Sequence, residues 1–421
     1  MYLKLLCISI LILFLNCGCS PISENSDFEQ NYSPQEIAQL HLEDAVQNLP
    51  EQTEIRAVWI PFMIYEHWLN GKSETQFRDS VQNAFQNCTD LGLNTIFLHV
   101  RAYSDAYYNS ELFPKGSYFT GNYDPLQIMT EEAHRFNLAI HAWVNPLRAQ
   151  TAEKLSSLDE KFLLRQWYDD SAKNGTYLVN YDGRYYLNPA YPEVRQLIAD
   201  GITEILENYE VDGIHIDDYF YPTTSPDFDR QAFSESSASD LADWRRNNCN
   251  ELIKLIYQSV KNFNSEMPFS ISPQGNLKVN YEELYADVKL WASESGYCDI
   301  IIPQIYYGFQ NDICPFAETA DLWSEIVTIP KLVIGLGAYK TGFSDQWAGS
   351  GKSEFLTDSS VIARELDYIA TLENVTGIAL YSYNSIFEPE QEVAQIVSEQ
   401  KQQIAEAFQK NTAPAQTEAI N

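Results

Sequence analysis

Asp212-Gly213-Ile214-His215-Ile216-Asp217-Asp218-Tyr219-Phe220-Tyr221-Pro222 reads as a buried strand that ends in two carboxylates and then a run of aromatics. Side chains alternate across a strand, so Ile214 and Ile216 share one face and His215 and Asp217 share the other. Apolar residues on one side and ionisable ones on the other suit a strand of a (β/α)₈ barrel. The isoleucines pack under surrounding helices, and Asp217 emerges at the C-terminal rim, where such barrels keep their chemistry.

Working outward, apolar strand-like runs alternate with amphipathic helices, the pattern of α/β architecture. Eight strands are expected: Arg56–Phe62, Thr95–Arg101, Ala139–Asn145, Gly213–Asp217, Phe269–Pro273, Ile300–Tyr306, Lys331–Gly337 and Gly377–Ser382. Ser80–Leu91, Val194–Tyr209 and Ala242–Asn262 carry the i, i+3, i+4 apolar spacing of helices. An open doubly wound sheet is the alternative, but no GxGxxG follows the first strand. The α/β fold class is therefore a (β/α)₈ TIM barrel. Two long connections, Pro146 to Arg184 and Pro222 to Asp240, follow strand C-termini and are expected to wall a cleft.

The chain has 421 residues and a net charge of -32. That balance argues against nucleic acid as a partner, which needs a basic footprint. Up to Gly18 the only charge is Lys4, and Leu5–Leu15 is an apolar run too short for a span of ~20 residues. Cys19 follows small residues at its end, a pattern similar to a bacterial lipoprotein signal. The expected organisation is a signal over 1–18, a lipidated acidic tether over 19–53, a barrel over 54–400 and a fraying tail over 401–421. Cys19 would be the lipidated residue, holding the protein to a membrane at the cell envelope. Cys88, Cys249, Cys298 and Cys314 show no CxxC spacing and read as isolated thiols, and no metal or cofactor is expected.

The strand ends repeat one composition, a polar group beside an aromatic. Trp59, Tyr103, Trp143 and Tyr306 offer faces that stack on sugar rings, and Arg101, Asn145, Arg148 and Gln304 offer hydrogen bonds to hydroxyls. His141, His215 and Tyr219 complete the candidate substrate-binding set. Duller roles stand beside these. Trp59 and Trp143 could fill the barrel interior, and Arg101 could pair with Asp105 or Asp217. His141 could be a core histidine, and His215 could orient Asp217.

The runs HAWVNPLR, LNPAYPEVR, DGIHIDDYFYP, ISPQGN, DIIIPQIYY and LVIGLGAYK resemble the glycosyl-hydrolase-like-ten family of bacterial proteins. The resemblance spans about Glu54 to Glu388, with the runs in the family's order. It implies a TIM barrel, often a lipoprotein, that hydrolyses polysaccharide at the envelope, in particular peptidoglycan strands lacking stem peptides. The family's motif positions fall on Arg101, Asp105, Asn145, Arg148, Asp217, Asp218, Tyr219, Gln304 and Tyr306. One departure is Gln274, where the family usually carries an aromatic.

Glycoside hydrolysis usually uses two carboxyl groups, ~5–5.5 Å apart for retention and ~6.5–9.5 Å for inversion. Asp217 is the leading catalytic candidate. Its Asp-Gly-X-X-X-Asp setting is similar to the fourth strand of amylase-type barrels, where the last Asp is the nucleophile. In the chitinase-type pattern an acidic residue would stand at 219, where this chain has Tyr219. The second carboxyl is expected to be Asp218, if the chain bends after Asp217, with Asp105 next. Glu66, Glu111 and Asp312 are further rim alternatives.

Overall fold

The computed structural model describes residues 54–217 and 220–412. The signal, Cys19 and the tether, together with Asp218, Tyr219 and the chain beyond 412, lie outside the described residues. Eight parallel strands close into a barrel: β1 Ile55–Ile60, β2 Thr95–Arg101, β3 Ala139–Val144, β4 Gly213–Asp217, β5 Phe269–Ser272, β6 Ile300–Ile301, β7 Lys331–Leu336 and β8 Val375–Leu380. They pair in sequence order, and β1 on β8 completes the ring. The expected (β/α)₈ barrel is what forms.

The alternation read from β4 holds. Ile214 and Ile216 are fully buried in the shell between strands and helices. The barrel interior is filled by Trp59, Phe97, Trp143, Ile302, Val333 and Ala379. Gly213 has a packing reason, since a Cβ there would lie 2.5 Å from His141 Nδ1. Asp212 secures the lower end, accepting the Ile140 N–H at 2.8 Å and facing His134 Nε2 at 3.0 Å.

Helix α1, Glu74–Leu91, starts at a reciprocal Ser73–Gln76 capping box and ends at Gly92, whose φ of 89° is the left-handed stop that glycine accepts readily. Helices α2, Pro192–Asn208, and α3, Leu241–Phe263, pack side by side outside β3 to β5. Helix α4 spans Val361–Ile369 and α5 spans Ala394–Thr412.

Three features depart from expectation by more than two residues. Strand β6 shrinks to two residues because Pro303 has no N–H to give the ladder. The chain still runs extended beyond it, with Gln304 N–H on Pro273 O at 2.9 Å and Ile305 N–H on Gly335 O at 3.0 Å. The 146–184 connection contains an unforeseen antiparallel hairpin, Leu178–Tyr181 with Arg184–Leu187. Its two-residue turn is Asp182-Gly183, both at positive φ, as a type I′ turn requires. The tail expected from 401 is instead helical to Thr412. Helix α5 buries Ile404, Ala407 and Phe408 in the core, so its apolar stripe, not its Gln-rich outer face, decides its state.

A buried ion pair organises the 222–240 connection. Arg245 donates Nε to Asp229 Oδ2 at 2.8 Å and Nη2 to Oδ1 at 2.6 Å, with both side chains fully buried. The same guanidinium donates to the carbonyls of Ser225 at 2.7 Å and Thr223 at 3.3 Å. It ties the segment that follows Asp217 to helix α3. Cys88, Cys249, Cys298 and Cys314 are free thiols.

Candidate active site

A cleft of about 380 Å³ opens at the C-terminal face of the barrel. Asp217 ends β4 and lines it, 5% exposed, opposite Ser272 in the strand register. Trp59, Trp143 and His99 form its inner surface. His99 and Trp143 lie stacked, with centroids 3.7 Å apart. Burial, and then the nearby Arg148 charge, hold the His99 imidazole well below its ordinary pKa, so it is neutral.

One wall comes from the connections after β2 and β3. Tyr103 lies between two guanidinium groups, with Arg148 4.7 Å and Arg184 3.9 Å from its ring centre. The hairpin sets this wall. Arg148 bridges to Tyr186, Leu187 N–H bonds Leu147 O at 2.8 Å, and Ala149 N–H bonds Tyr185 O at 3.0 Å. Asn145 sits beside them and beside His99, 2% exposed, and no other described residue satisfies its amide. Among the described residues, Trp143 Nε1 and Ser272 Oγ have no hydrogen-bond partner. Buried polar groups are nearly always satisfied, so these atoms are donors and acceptors suited to a polar ligand.

The other wall is aromatic. Tyr306 stacks on Tyr381 at 5.7 Å, and Tyr339 stands edge-on to both, at 5.8 Å and 5.7 Å. Gln304 is held at its foot by a bond to Ser272 O at 3.3 Å. Phe62 and Met63 border the mouth. Among the described lining residues Asp217 is the one carboxylate and Arg148 the one cation.

The structure thus brings Trp59, Tyr103, Trp143, Asn145, Arg148, Asp217, Gln304 and Tyr306 to one cleft and places the other described candidates elsewhere. His215 is fully buried beneath the cleft floor. Trp59 Nε1–H donates to its Nε2 at 2.9 Å, so Nδ1 carries the proton and faces Ser270 Oγ at 2.8 Å. That hydroxyl continues to the Ile214 carbonyl at 3.3 Å. Burial, with His141 and His99 adding to it, keeps the ring neutral. His141 is also a core histidine, its pKa lowered to about 4 by burial. Neither ring reaches a ligand in the cleft.

Arg101 faces away from the cleft. The ladder slips between His99 and Arg101, and this bulge re-aims the side chain toward α2. A Cβ on Gly201 would collide with its Nη1, and its guanidinium lies 4.3 Å from the Phe113 ring centre. Asp105 is buried under the loop it closes, accepting the N–H groups of Ala102 at 3.1 Å and Tyr103 at 3.0 Å. It is a loop-organising carboxyl, outside the cleft. Of the rim alternatives, Glu111 pairs with Lys161 at 3.3 Å, Asp312 bonds Ser350, Glu66 is exposed, and none lines the cleft. Among the described residues no three His, Cys, Asp or Glu side chains gather as a metal-ligand set.

The profile of the family described as "Glycosyl hydrolase-like 10" matches residues 54–348, which takes in most of the barrel. The chain belongs to the glycosyl hydrolase-like 10 family. It is accordingly a glycoside hydrolase. It is 32% identical over 373 residues to the glycosyl hydrolase YngK of Bacillus subtilis (strain 168), covering 80% of this chain and 70% of that one. It is 29% identical over 335 residues to the glycosyl hydrolase DigH of Escherichia coli (strain K12), covering 72% of this chain and 75% of that one. Among solved structures, it resembles the PgaB (BpsB) glycoside hydrolase domain of Bordetella bronchiseptica. The TM-score is 0.54 at 11% identity, over 82% of this chain and 98% of that one, which speaks to the shared barrel alone.

Tyr339, Phe62 and Met63 were not singled out as site residues from the sequence. Tyr339 lies three residues past the end of β7, within the Gly337-Ala338-Tyr339-Lys340 run, where an aromatic after a strand terminus was the available signal.

Proposed function

We propose that this glycoside hydrolase cleaves glycan of the bacterial envelope, specifically peptidoglycan strands lacking stem peptides, with Asp217 as the carboxylate at the reacting carbon. What supports the reading is the setting of Asp217, the one carboxylate among the described residues of a cleft they line with aromatics, neutral amides and one arginine. Aromatic faces suit the apolar faces of pyranose rings. Asn145 and Gln304 suit hydroxyl or acetamido groups. Among the described lining residues a strand bearing charged stem peptides would find only Arg148 and Asp217 to receive them.

In this reading the glycosidic C–O bond breaks as a proton passes to the leaving oxygen and positive charge develops on the sugar. Asp217 stabilises that charge or attacks the anomeric carbon, and water completes the hydrolysis. Asp218 is the proposed proton donor, a role that needs a carboxyl whose pKa is raised by burial or by a neighbouring carboxylate. A separation of ~5–5.5 Å between the two carboxyl groups would give retention, and ~6.5–9.5 Å would give inversion.

The test is mass spectrometry of products from peptidoglycan strands with and without stem peptides. Fragments from the peptide-free strands are expected, with Asp217→Asn lowering turnover by a factor of at least about 10³ and leaving the melting temperature in place. Undiminished fragments from the variant would remove Asp217 from the mechanism. The lone carboxylate of the described cleft also favours a second reading, a glycan-binding protein without turnover; binding to strands with no fragments would establish it. We further propose lipid anchoring at Cys19 on the envelope. Cys19→Ser should move the protein from membrane to soluble fractions, and unchanged fractionation would refute the anchor.

A further inference from the structure

Tyr339 lines both the cleft and a second, smaller hollow of about 110 Å³, bounded also by Phe343, Asn384, Glu388, Glu390, Val393 and Val397. We propose that this hollow is a second glycan subsite, occupied by a further sugar of the same strand that passes over Tyr339 from the cleft. The inference rests on the glycan reading above and adds where a further sugar of the strand is held.

The chemistry of the hollow matches that occupant. Phe343 is 44% exposed and Tyr339 is 39% exposed, a large area for two aromatics in a folded domain. Asn384 Oδ1 accepts from Ser382 Oγ at 2.8 Å, which orients the amide and leaves its N–H groups to donate outward. Glu388 accepts from Trp68 Nε1 at 3.2 Å through one oxygen, leaving the other for a hydroxyl. Flat apolar faces, an amide donor and a carboxylate acceptor are the groups that grip a pyranose.

The platform is also rigid, so little ordering cost opposes binding. Tyr339 N–H bonds the Tyr381 carbonyl at 3.0 Å, joining the hollow's wall to the cleft's wall. Phe343 N–H bonds Lys340 O at 2.9 Å, and Gly342 N–H bonds Phe355 O at 2.8 Å. Lys340 and Asp345 pair at 2.5 Å inside the same loop. A second site joined to the first by one fixed ring implies a continuous path for a chain.

The test compares peptide-free peptidoglycan strands sorted by length, from disaccharide to long chains, cleaved by the native protein, Phe343→Ala and Asn384→Ala. Neither side chain lines the cleft. Loss of a stacking face should reduce kcat/KM on long strands roughly five- to tenfold and leave the shortest cleavable strand unaffected. Turnover of that short strand also reports that each variant is folded. Equal loss on long and short strands, or no loss on either, would overturn the subsite. A native protein that cleaves no strand of any length instead refutes the glycosidase assignment of this substrate. In that case affinity of Asp217→Asn for long against short strands decides, and a preference for long strands that Phe343→Ala does not weaken would overturn the subsite.

Discussion

Replacing Arg245 by methionine should unfold the protein more readily and slow it at the same time. The guanidinium makes two buried, charge-assisted bonds to Asp229 and two part-buried ones to the carbonyls of Ser225 and Thr223. Methionine fills much of the space but leaves the Asp229 carboxylate buried without its partner. Removing one member of such a pair costs about 3–5 kcal/mol, because the survivor's desolvation is no longer offset. At about 2 °C per kcal/mol for a domain of this size, the melting temperature should fall roughly 6–10 °C. Because the pair fixes the connection that leaves Asp217, kcat should fall as well. The decisive control is the double variant Asp229→Leu with Arg245→Met. Apolar replacement of both members of a buried pair is often neutral, so most of the lost stability should return. Thermal and urea denaturation followed by circular dichroism measure both quantities. A single variant melting within about 2 °C of the parent, or a double variant no better than the single, would refute the argument.

Two further outcomes follow from buried groups. Glu365 is fully buried on α4 with neither carboxyl oxygen bonded to a described group, and burial raises its pKa well above the ordinary value. The unfolded chain therefore ionises above about pH 4.3 while the folded one holds its proton, so stability is lost as pH rises from there toward the folded pKa. Glu365→Gln should remove that loss, and its gain in urea stability should be larger at pH 8 than at pH 5; a gain that shrinks with pH would contradict the assignment. Truncation after Gln400 removes Ile404 and Phe408, each worth roughly 1.5–3 kcal/mol when fully buried. The shortened chain should melt several degrees lower, and a melt coincident with the full chain would show that the last turns of α5 carry no stability.

Much of the barrel was legible because its signal is periodic and local. Alternation within 213–217 placed Ile214 outward and Asp217 at the rim, and all eight strands begin within two residues of where their apolar runs do. Trp59, Trp143, Asn145, Arg148, Gln304 and Tyr306 were legible as site residues because each stands at a strand terminus. What failed depended on geometry that one-dimensional spacing does not carry. Arg101 has the right position in the sequence, yet a one-residue slip of the ladder turns it to the opposite side. Asp105 looks like a rim carboxylate until its neighbours' amides are seen to claim it. His141 and His215 point inward as their strands dictate, but too deep to meet a substrate. The hairpin at 178–187 escaped because its strands are four residues each, although Asp182-Gly183 was the turn signal to heed.

The cleft draws its two walls from opposite arcs of the ring. Asp217, Asn145 and Arg148 are supplied by the chain up to β4, whereas Gln304, Tyr306, Tyr339 and Tyr381 come from β6 onward. The proposed reacting carboxylate and the wall of Tyr306, Tyr339 and Tyr381 are therefore separate inheritances that meet when β8 docks on β1. A newly made chain carries its carboxylate long before it owns a complete receptor. Recombination that exchanges the second arc between relatives would replace one aromatic wall while keeping the proposed reacting carboxylate, and hydrolysis by such a chimera would signal that the ring had closed.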